Sequence, residues 1–401
     1  MSTTSGSRAG TARMRDHTVR ERPSTPLELL FDLCFVVAVA FLATELHHGV
    51  ADGHPAPALL TYLALFVPVW WAWMSYTWFA TAFSHDDTTT RLLTGAQMLG
   101  VLAVAAAVPS AAKGELLGFA LAYAAMRVPL VGQWVRSGLE DPVHRAFAFT
   151  YAVGSGVAQV LWVVGALAPT VPRVAAFAAA LAVELGTPVL AVRRSPGRVF
   201  HPGHIAERYG LFAIIVLGES VLAVTVGLGE VVDAAALDPA VLTTVVATLV
   251  VTFALWWLYF DTLGAEALVR NRQAAFAWGY GHYLIYAATA AIGAGVHAGL
   301  DSLTDDGHAA GADGARLVTG AVAVVMLTLL VLARLSRPVP PVPLLAGGVT
   351  GILLAVAAPA LGATVTLGLT AGLAVVVTAV HARSATGRDP EPVDAPAPAA
   401  A

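Results

Sequence analysis

Several ionisable residues of this chain lie in or beside long apolar stretches, where they could bind a cation or carry a proton. Glu28 and Asp32 are four residues apart, so a helix would place both carboxylates on one face. Glu219 follows Glu207 by twelve residues and would lie roughly 18 Å further along the same helix. An ionisable group at that depth in lipid is costly and by default indicates a functional site. We therefore expect Asp32 and Glu219 to bind a coupling cation or a substrate.

Three other charged residues near these positions have a simple structural interpretation. Glu28 lies three residues after Thr25, which is the spacing of a capping box at the start of a helix. Glu207 follows His204 at the same spacing and could cap its helix in the same way. Arg208 could anchor that helix at the cytoplasmic surface, where basic residues are enriched. Glu28, Glu207 and Arg208 are therefore candidates for binding, with capping and anchoring as the alternatives.

Two charged residues and a histidine fall near the middle of other apolar runs. Glu184 is followed four residues later by Pro188, which should kink the helix and leave a backbone carbonyl without its usual partner. Arg127 could pair with Glu184 or Glu219, either as a gate or as a purely structural buried pair. His282 could carry a proton near neutral pH, and the alternative is a histidine that only packs.

No sequence pattern predicts a metal, a cofactor or a catalytic apparatus. His47, His48 and His54 share one predicted loop, and His201 and His204 share another, but neither group has the spacing of a known metal motif. Phosphate-binding glycine loops, catalytic triads and kinase motifs do not occur in the sequence. The net charge of -4 and the lack of a basic cluster argue against nucleic acid. We expect no metal, no cofactor and no nucleic-acid partner, and we assign no catalytic residue.

The elements that must carry these residues are long apolar helices. Only 12% of the residues are charged, against about 25% in soluble proteins, and the mean hydropathy is +0.74. Twelve apolar runs are each long enough to cross roughly 30 Å of hydrocarbon as a helix. The predicted fold class is therefore all-α, a polytopic protein in a lipid bilayer. The predicted helices are 27–47, 57–82, 92–109, 114–133, 146–168, 173–192, 205–228, 239–261, 273–297, 315–334, 343–360 and 362–382.

Basic residues in the connections predict how the helices are oriented. If the N-terminus is cytoplasmic, the inner segments hold 18 basic residues and the outer segments hold three, namely Lys113, Arg173 and Arg316. This bias is what the positive-inside rule requires, and a missing helix would reverse the alternation beyond it. We therefore expect both termini to be cytoplasmic. The stretch 343–382 could be two helices or one re-entrant unit.

The two halves of the chain resemble each other in their first two predicted helices. Glu28-Leu-Leu-Phe-Asp-Leu corresponds to Glu207-Arg-Tyr-Gly-Leu-Phe, and Trp70-Trp71 corresponds to Trp256-Trp257. The similarity predicts a tandem repeat of six plus six helices, whose halves would run parallel because six is even. The tryptophans would form an aromatic belt at the membrane surface or, less simply, stack on a substrate. The expected organisation is a disordered cytoplasmic tail at 1–26, a first repeat at 27–192, a cytoplasmic linker at 193–204, a second repeat at 205–383 and a disordered cytoplasmic tail at 384–401.

Two long motifs resemble the bacterial low temperature requirement protein A family. They are Thr25-Pro-Leu-Glu-Leu-Leu-Phe-Asp-Leu-Cys-Phe-Val and His204-Ile-Ala-Glu-Arg-Tyr-Gly-Leu-Phe-Ala-Ile-Ile-Val-Leu-Gly-Glu-Ser. The tryptophan-rich second helix and Leu255-Trp-Trp-Leu-Tyr-Phe-Asp are also similar to that family, and the resemblance covers roughly residues 24–300. It implies a multi-pass protein of the bacterial inner membrane. It implies no catalytic residues.

Three functions fit these residues. The first is a transporter or ion-coupled permease for a small molecule or an ion, in which Asp32 and Glu219 bind the cation or substrate. Arg127 and Glu184 would form a gating pair while one half rocks against the other. The second is a membrane-embedded enzyme that acts on a lipid or isoprenoid, with paired carboxylates as general acid and base. The third is a structural or sensory membrane protein whose charges serve assembly only. We favour the transporter, and enzymatic activity is the less expected class.

Overall fold

The computed structural model describes residues 13–14, 23–84, 87–195, 197, 199–233, 238–270, 272–304, 308–336 and 342–385. The predicted disordered tails, 1–26 and 384–401, lie almost entirely outside these residues. Strands β1 (Arg13–Met14) and β2 (Phe83–Ser84) form one short antiparallel pair. The helices are α1 (Pro26–Ala51), α2 (Pro55–Ala82), α3 (Thr88–Ala112), α4 (Leu116–Glu140), α5 (Arg145–Leu167), α6 (Thr170–Arg193), α7 (Pro202–Asp233), α8 (Pro239–Thr262), α9 (Glu266–Arg270), α10 (Arg272–Thr304), α11 (His308–Ser336), α12 (Val342–Leu361) and α13 (Ala363–Ala385).

The all-α membrane fold predicted from the sequence is confirmed. Within the described residues, twelve helices are long and apolar enough to span a membrane, and the short α9 extends the eighth of these spans. Large apolar side chains point outward from them: Leu60, Leu99 and Val171 are 70%, 70% and 82% exposed. An apolar surface of this extent needs lipid against it. The chain is therefore a multi-pass membrane protein.

Local sequence sets where several helices begin and end. Thr25 and Glu28 form the predicted capping box at the start of α1, where the Thr25 N–H donates to Glu28 Oε2 over 2.7 Å. Asp87 caps α3 by accepting the Thr90 N–H. Gly362 separates α12 from α13 with a φ of 79°, which favours glycine. The stretch predicted as two helices or one re-entrant unit is therefore two helices, each long enough to span the membrane.

The interior of the molecule lies where α1, α2, α7 and α10 meet. Helix α10 is the most enclosed of the described spans, because 78% of the residues in its most apolar 18-residue stretch are buried. It packs against α1, α7 and α11. The first helix of each half packs against the next two spans, α1 against α2 and α3, and α7 against α8 and α10. A six-plus-six repeat would produce this matching, and the repeat itself stays a prediction. We call the side where α1, α7 and α10 begin the N face, and the other side the opposite face.

Three tryptophans of α2 do not form an aromatic belt, and that prediction is wrong for them. Trp70, Trp71 and Trp73 are all buried in the interior. Trp73 stacks on Phe212 of α7 with ring centroids 4.2 Å apart. Large aromatic rings contribute much buried area, so these side chains hold α2 against its neighbours. The paired tryptophans of α8 are partly exposed.

Candidate ion and substrate sites in the helix bundle

Asp32 and Arg208 form a buried ion pair between the first helices of the two halves. Arg208 Nη2 donates to Asp32 Oδ1 over 2.5 Å, and Arg208 Nε donates to Oδ2 over 3.2 Å. Both side chains have 0% exposure. Trp73 Nε1 on α2 adds a third hydrogen bond to Oδ1 over 2.7 Å. Charge-assisted bonds of this bidentate kind are strong and directional, so donors from two other helices fix the Asp32 carboxylate.

Glu28 and His204 form a second layer, one helical turn nearer the N face. Glu28 Oε1 lies 3.6 Å from Arg208 Nη1 and 3.4 Å from His204 Nε2. His204 Nδ1 lies 3.1 Å from the hydroxyl of Thr81 on α2. Glu28 also caps α1, as described above. The capping interpretation of Glu28 therefore holds, the contacts with Arg208 and His204 were not predicted, and a binding role stays a prediction.

Glu207 and Arg208 are neighbours in sequence but lie in different surroundings. Arg208 is fully buried against Asp32, so its interpretation as a surface anchor is wrong. The acidic partner on α1 makes burial tolerable, and that partner is distant in sequence. Glu207 is exposed and accepts the Ser24 N–H over 3.2 Å. The structure therefore brings Arg208, but not Glu207, into the buried cluster.

Arg127 and Glu184 form another buried cluster inside the first half. Arg127 Nη2 donates to Glu184 Oε2 over 3.2 Å, and both residues are nearly inaccessible. Gln159 Nε2 donates to Oε1 over 3.0 Å, and Trp71 Nε1 donates to Oε2. Residues from α2, α4 and α5 thus converge on the carboxylate of α6. Of the two partners considered for Arg127, the structure pairs it with Glu184.

Glu219 differs from these carboxylates because no basic side chain of the described residues pairs with it. It is 8% exposed, and its Oε2 has no hydrogen-bond partner among the described residues. Helices α7 and α10 approach closely here, where Ser220 Oγ donates to the carbonyl of Thr289 over 3.3 Å. A Cβ on Gly293 would lie 3.5 Å from the backbone oxygen of Glu219. A buried carboxylate in this state is costly unless it takes up a proton or a cation.

His282 has partners for both ring nitrogens. Its Nδ1 lies 2.7 Å from the carbonyl oxygen of Trp278, which can only accept, so Nδ1 carries the proton. Its Nε2 lies 3.0 Å from the hydroxyl of Tyr259 and accepts from it when the ring is neutral. The side chain has 0% exposure. These hydrogen bonds agree with the packing interpretation of His282, and its role as a proton carrier stays a prediction.

Two cavities open towards opposite sides of the molecule. On the N face, a crevice of about 40 Å³ is lined by Trp71, Tyr280 and Arg272 among others, and has room for a few water molecules. On the opposite face, a groove of about 570 Å³ is lined mainly by apolar residues of α2, α10, α11 and α12, including Tyr62 and Leu284. The groove falls in the size range of small-molecule sites. Both cavities border the contact between α2 and α10.

Four aromatic rings lie between the two cavities along α2 and α10. Phe66 and Trp70 contact Tyr283 at centroid distances of 5.9 and 5.4 Å. Trp70 also contacts Tyr280 at 6.4 Å. We call Phe66, Trp70, Tyr280 and Tyr283 the aromatic barrier. Pro68 lies inside α2 at the same level, where a proline removes a helical hydrogen bond and favours bending.

Comparisons with known proteins place the chain in a family. The family model described as "Bacterial low temperature requirement A protein (LtrA)" matches residues 23–381. The chain belongs to this family. Among curated proteins, this LtrA-family chain is similar to an uncharacterized protein of Rhizobium meliloti (strain 1021), at 33% identity over 220 residues. That match covers 52% of the chain and 52% of the relative, so the chain spans about half the length of the curated relative it matches.

Sequence reasoning missed the neutral donors that hold the carboxylates of this LtrA-family chain. Trp73 and Trp71 were expected at the membrane surface, yet they donate to Asp32 and Glu184. Gln159 also donates to Glu184. A polar amide in an apolar run needs a partner within the membrane. Gln159 was therefore the available sequence signal for this cluster.

Proposed function

We propose that this LtrA-family protein is an ion-coupled transporter or permease, and that Glu219 is the residue that binds the coupling proton or cation. The observation that carries the proposal is the contrast between Glu219, which lacks a basic partner among the described residues, and the paired Asp32 and Glu184. Intramembrane carboxylates that are not committed to a counterion are typical of proton and cation pathways. The substrate would be an ion or a small molecule.

The cavities support a pathway between α2 and α10. The groove on the opposite face and the crevice on the N face are separated by the aromatic barrier. Tyr62 lines the groove and donates to the backbone oxygen of Ala287 on α10 over 2.7 Å. Two residues further along α10, Thr289 accepts from Ser220, which is next to Glu219 in sequence. Bending of α2 at Pro68 would move the barrier residues on one side of the pathway. Alternating access would then need only a modest motion of α2 against α10.

In this proposal the paired charges position helices. Asp32 and Arg208 hold α1 against α7 and so join the two halves. Arg127 and Glu184 would hold the first half together around the N-face crevice, because Trp71 both lines that crevice and donates to Glu184. Asp32 was expected to bind the cation directly. Its carboxylate accepts three hydrogen bonds from Arg208 and Trp73, so we assign that role to Glu219 alone.

The proposed orientation has the N face in the cytoplasm of a bacterium, with the protein in the inner membrane. The support is the distribution of basic residues, 18 on the inner side against three on the outer side. Accessibility of single cysteines introduced at Asp52 and Arg91 to an impermeant thiol reagent, in a Cys34→Ser background, tests this. Labelling at position 52 alone in intact spheroplasts agrees with the proposal, and labelling at position 91 alone contradicts it.

Proton, sodium and potassium flux into proteoliposomes tests the function. Flux above that of protein-free liposomes, carried by one of these cations and driven by its gradient, is the expected result. Folded, correctly inserted protein that gives no flux with any of them would contradict an ion-coupled role.

One observation favours a second candidate, a structural or sensory membrane protein. The buried clusters around Asp32 and Glu184 are tightly paired and hold several helices together, which is what an assembly role needs. The enzyme alternative has less support. It needs a carboxylate that is available for proton transfer, and Asp32 is held by Arg208 and Trp73.

A further inference from the structure

Two histidines and an aspartate meet at the opposite face, away from the carboxylates described above. His47 lies near the end of α1, and His297 and Asp301 lie four residues apart on one face of α10. His47 Nε2 is 2.5 Å from Asp301 Oδ2, and His297 Nε2 is 3.7 Å from Asp301 Oδ1. The two imidazole rings stack in parallel, with centroids 4.0 Å apart and 8° between their planes. One ligand atom of each residue lies within 4.8 Å of the others.

We propose that His47, His297 and Asp301 bind one divalent transition-metal cation of the Zn²⁺ type. Two imidazole nitrogens and one carboxylate oxygen form a ligand set that Zn²⁺ uses, with bonds of about 2.0–2.2 Å. Four ligands around a tetrahedral ion at such bond lengths lie about 3.3 Å apart. The three candidate ligand atoms lie within 4.8 Å of one another, so they would draw together when the ion binds. Because an ion lies in the plane of each imidazole that binds it, the two stacked rings would rotate out of their parallel arrangement when the ion binds.

The surroundings let an ion reach these residues from water. The side chain of His47 is 8% exposed, that of His297 is 19% exposed and that of Asp301 is 31% exposed. A water molecule can therefore complete the coordination, as in zinc sites with three protein ligands. Imidazole favours ions of the Zn²⁺ type, whereas Ca²⁺ and Mg²⁺ prefer oxygen ligands only. The proposed site therefore selects a borderline transition-metal ion.

Helix α7 packs against the α10 residues of the proposed site. A Cβ on Gly227 would come within 3.3 Å of His297 Cδ2 and 2.7 Å of Leu300 Cδ1, so the absence of a side chain lets α7 pack directly against these residues. His47 lies three residues before Val50, which lines the groove on the opposite face. The proposed metal site lies on the same face as this groove, and its existence does not depend on transport.

The sequence predicted no metal because the ligands come from distant helices. His47 and Asp301 are 254 residues apart, and no local motif connects them. The alternative is a hydrogen-bonded His–Asp pair that only joins α1 to α10. The two interpretations differ in whether the purified protein binds metal with defined stoichiometry.

Zn²⁺ titration of the full-length protein in detergent tests the proposal. The protein is stripped with a chelator, and binding is measured by competition with a chromophoric zinc chelator. We expect one equivalent bound by the wild type and affinity at least tenfold lower in His297→Ala and Asp301→Asn. His54→Ala, which changes an exposed histidine at the start of α2, is the matched control and should bind like the wild type.

Thermal unfolding with and without Zn²⁺ shows in the same samples whether each variant is folded. The wild type and His54→Ala should gain stability with Zn²⁺ because the metal binds the folded state, and His297→Ala and Asp301→Asn should lose most of that gain. Co²⁺ should give a visible absorption band in the wild type that is weakened or shifted in His297→Ala. Binding of less than one equivalent by the wild type, or unchanged affinity in both folded variants, would overturn the proposal and leave a structural hydrogen bond only.

Discussion

Arg208 and Asp32 are 176 residues apart in the sequence and form a bidentate ion pair that is closed to solvent. Their helices begin the two halves of the chain, so the pair joins the halves at one depth in the bundle. Asp32 is therefore neutralised by a basic partner. Glu219 is also buried, but no basic side chain of the described residues pairs with it. The division between positioning charges and the proposed cation site follows from this contrast.

Asp32→Asn should destabilise the protein, because it leaves the Arg208 guanidinium buried without its counterion. Removing one partner of a buried pair costs about 3–5 kcal/mol. Thermal unfolding in detergent, followed by tryptophan fluorescence, should show a clearly lower Tm. Glu207→Gln changes an exposed carboxylate directly before Arg208 in α7 and should unfold at the wild-type temperature. Equal Tm values for Asp32→Asn and the wild type would contradict the role assigned to the pair.

Arg127→Met should destabilise the first half by a similar amount, because Glu184 would lose its basic partner. The double variant Arg127→Met/Glu184→Gln should recover at least about 1 kcal/mol of that loss, since a neutral amide replaces the unpaired carboxylate and can still bond Trp71 or Gln159. Unfolding of the wild type, the singles and the double as a thermodynamic cycle measures the coupling. A double variant that loses as much as the two singles added together would show that the residues act independently.

Trp70→Ala should make the protein leaky, because it removes the ring that contacts both Tyr280 and Tyr283 in the aromatic barrier. We expect passive ion flux through proteoliposomes to rise and to persist when Glu219→Gln is added, since an open path needs no coupling residue. Trp256→Ala, on the partly exposed face of α8, is the control and should leave flux unchanged. Wild-type flux in a folded Trp70→Ala protein would show that the barrier does not close the pathway.

The contact between Asp87 and Arg136 should make stability depend on pH. Arg136 donates to both carboxylate oxygens of Asp87 and holds the pKa of that carboxyl well below its usual value of 3.8. Because the folded pKa is the lower one, the pair stabilises the protein above pH about 4, and the contribution is lost as the pH falls towards the folded pKa. Asp87→Asn should therefore lower Tm at neutral pH, and its difference from the wild type should shrink below pH about 4. A difference in Tm that is as large at pH about 3 as at neutral pH would contradict this account.

The parts of the fold that sequence predicted well depend on local information. The length of each apolar run determines whether a helix can span the membrane, and Thr25 and Glu28 are close enough in sequence to reveal their capping box. The partner of Arg208 could not be predicted in this way, because it depends on which helices pack together. Its position near the start of a helix therefore predicts a surface anchor, although Arg208 is fully buried.

The candidate sites were predicted by residue type but not by their contacts. Asp32, Glu184 and Glu219 share the same cost of burial in lipid, so the sequence could not show which of them would find a donor. In the structure, the indole N–H groups of Trp73 and Trp71 donate to Asp32 and Glu184. The same sequence pattern of large rings fits two locations, a belt at the membrane surface and a packed helix interface. The sequence alone therefore does not show that these tryptophans are buried.

Cation flux in proteoliposomes, compared between the wild type and Glu219→Gln, tests the central claim most directly. Glutamine keeps the size of the side chain and removes its ability to bind a proton or cation, so the variant should fold and lose at least about 90% of the coupled flux, which corresponds to about 1.4 kcal/mol or more. Glu115→Gln, at an exposed position before α4, should transport like the wild type. Loss of flux in folded Glu219→Gln alone is the result that this account predicts. Equal flux in the wild type and in Glu219→Gln would contradict it.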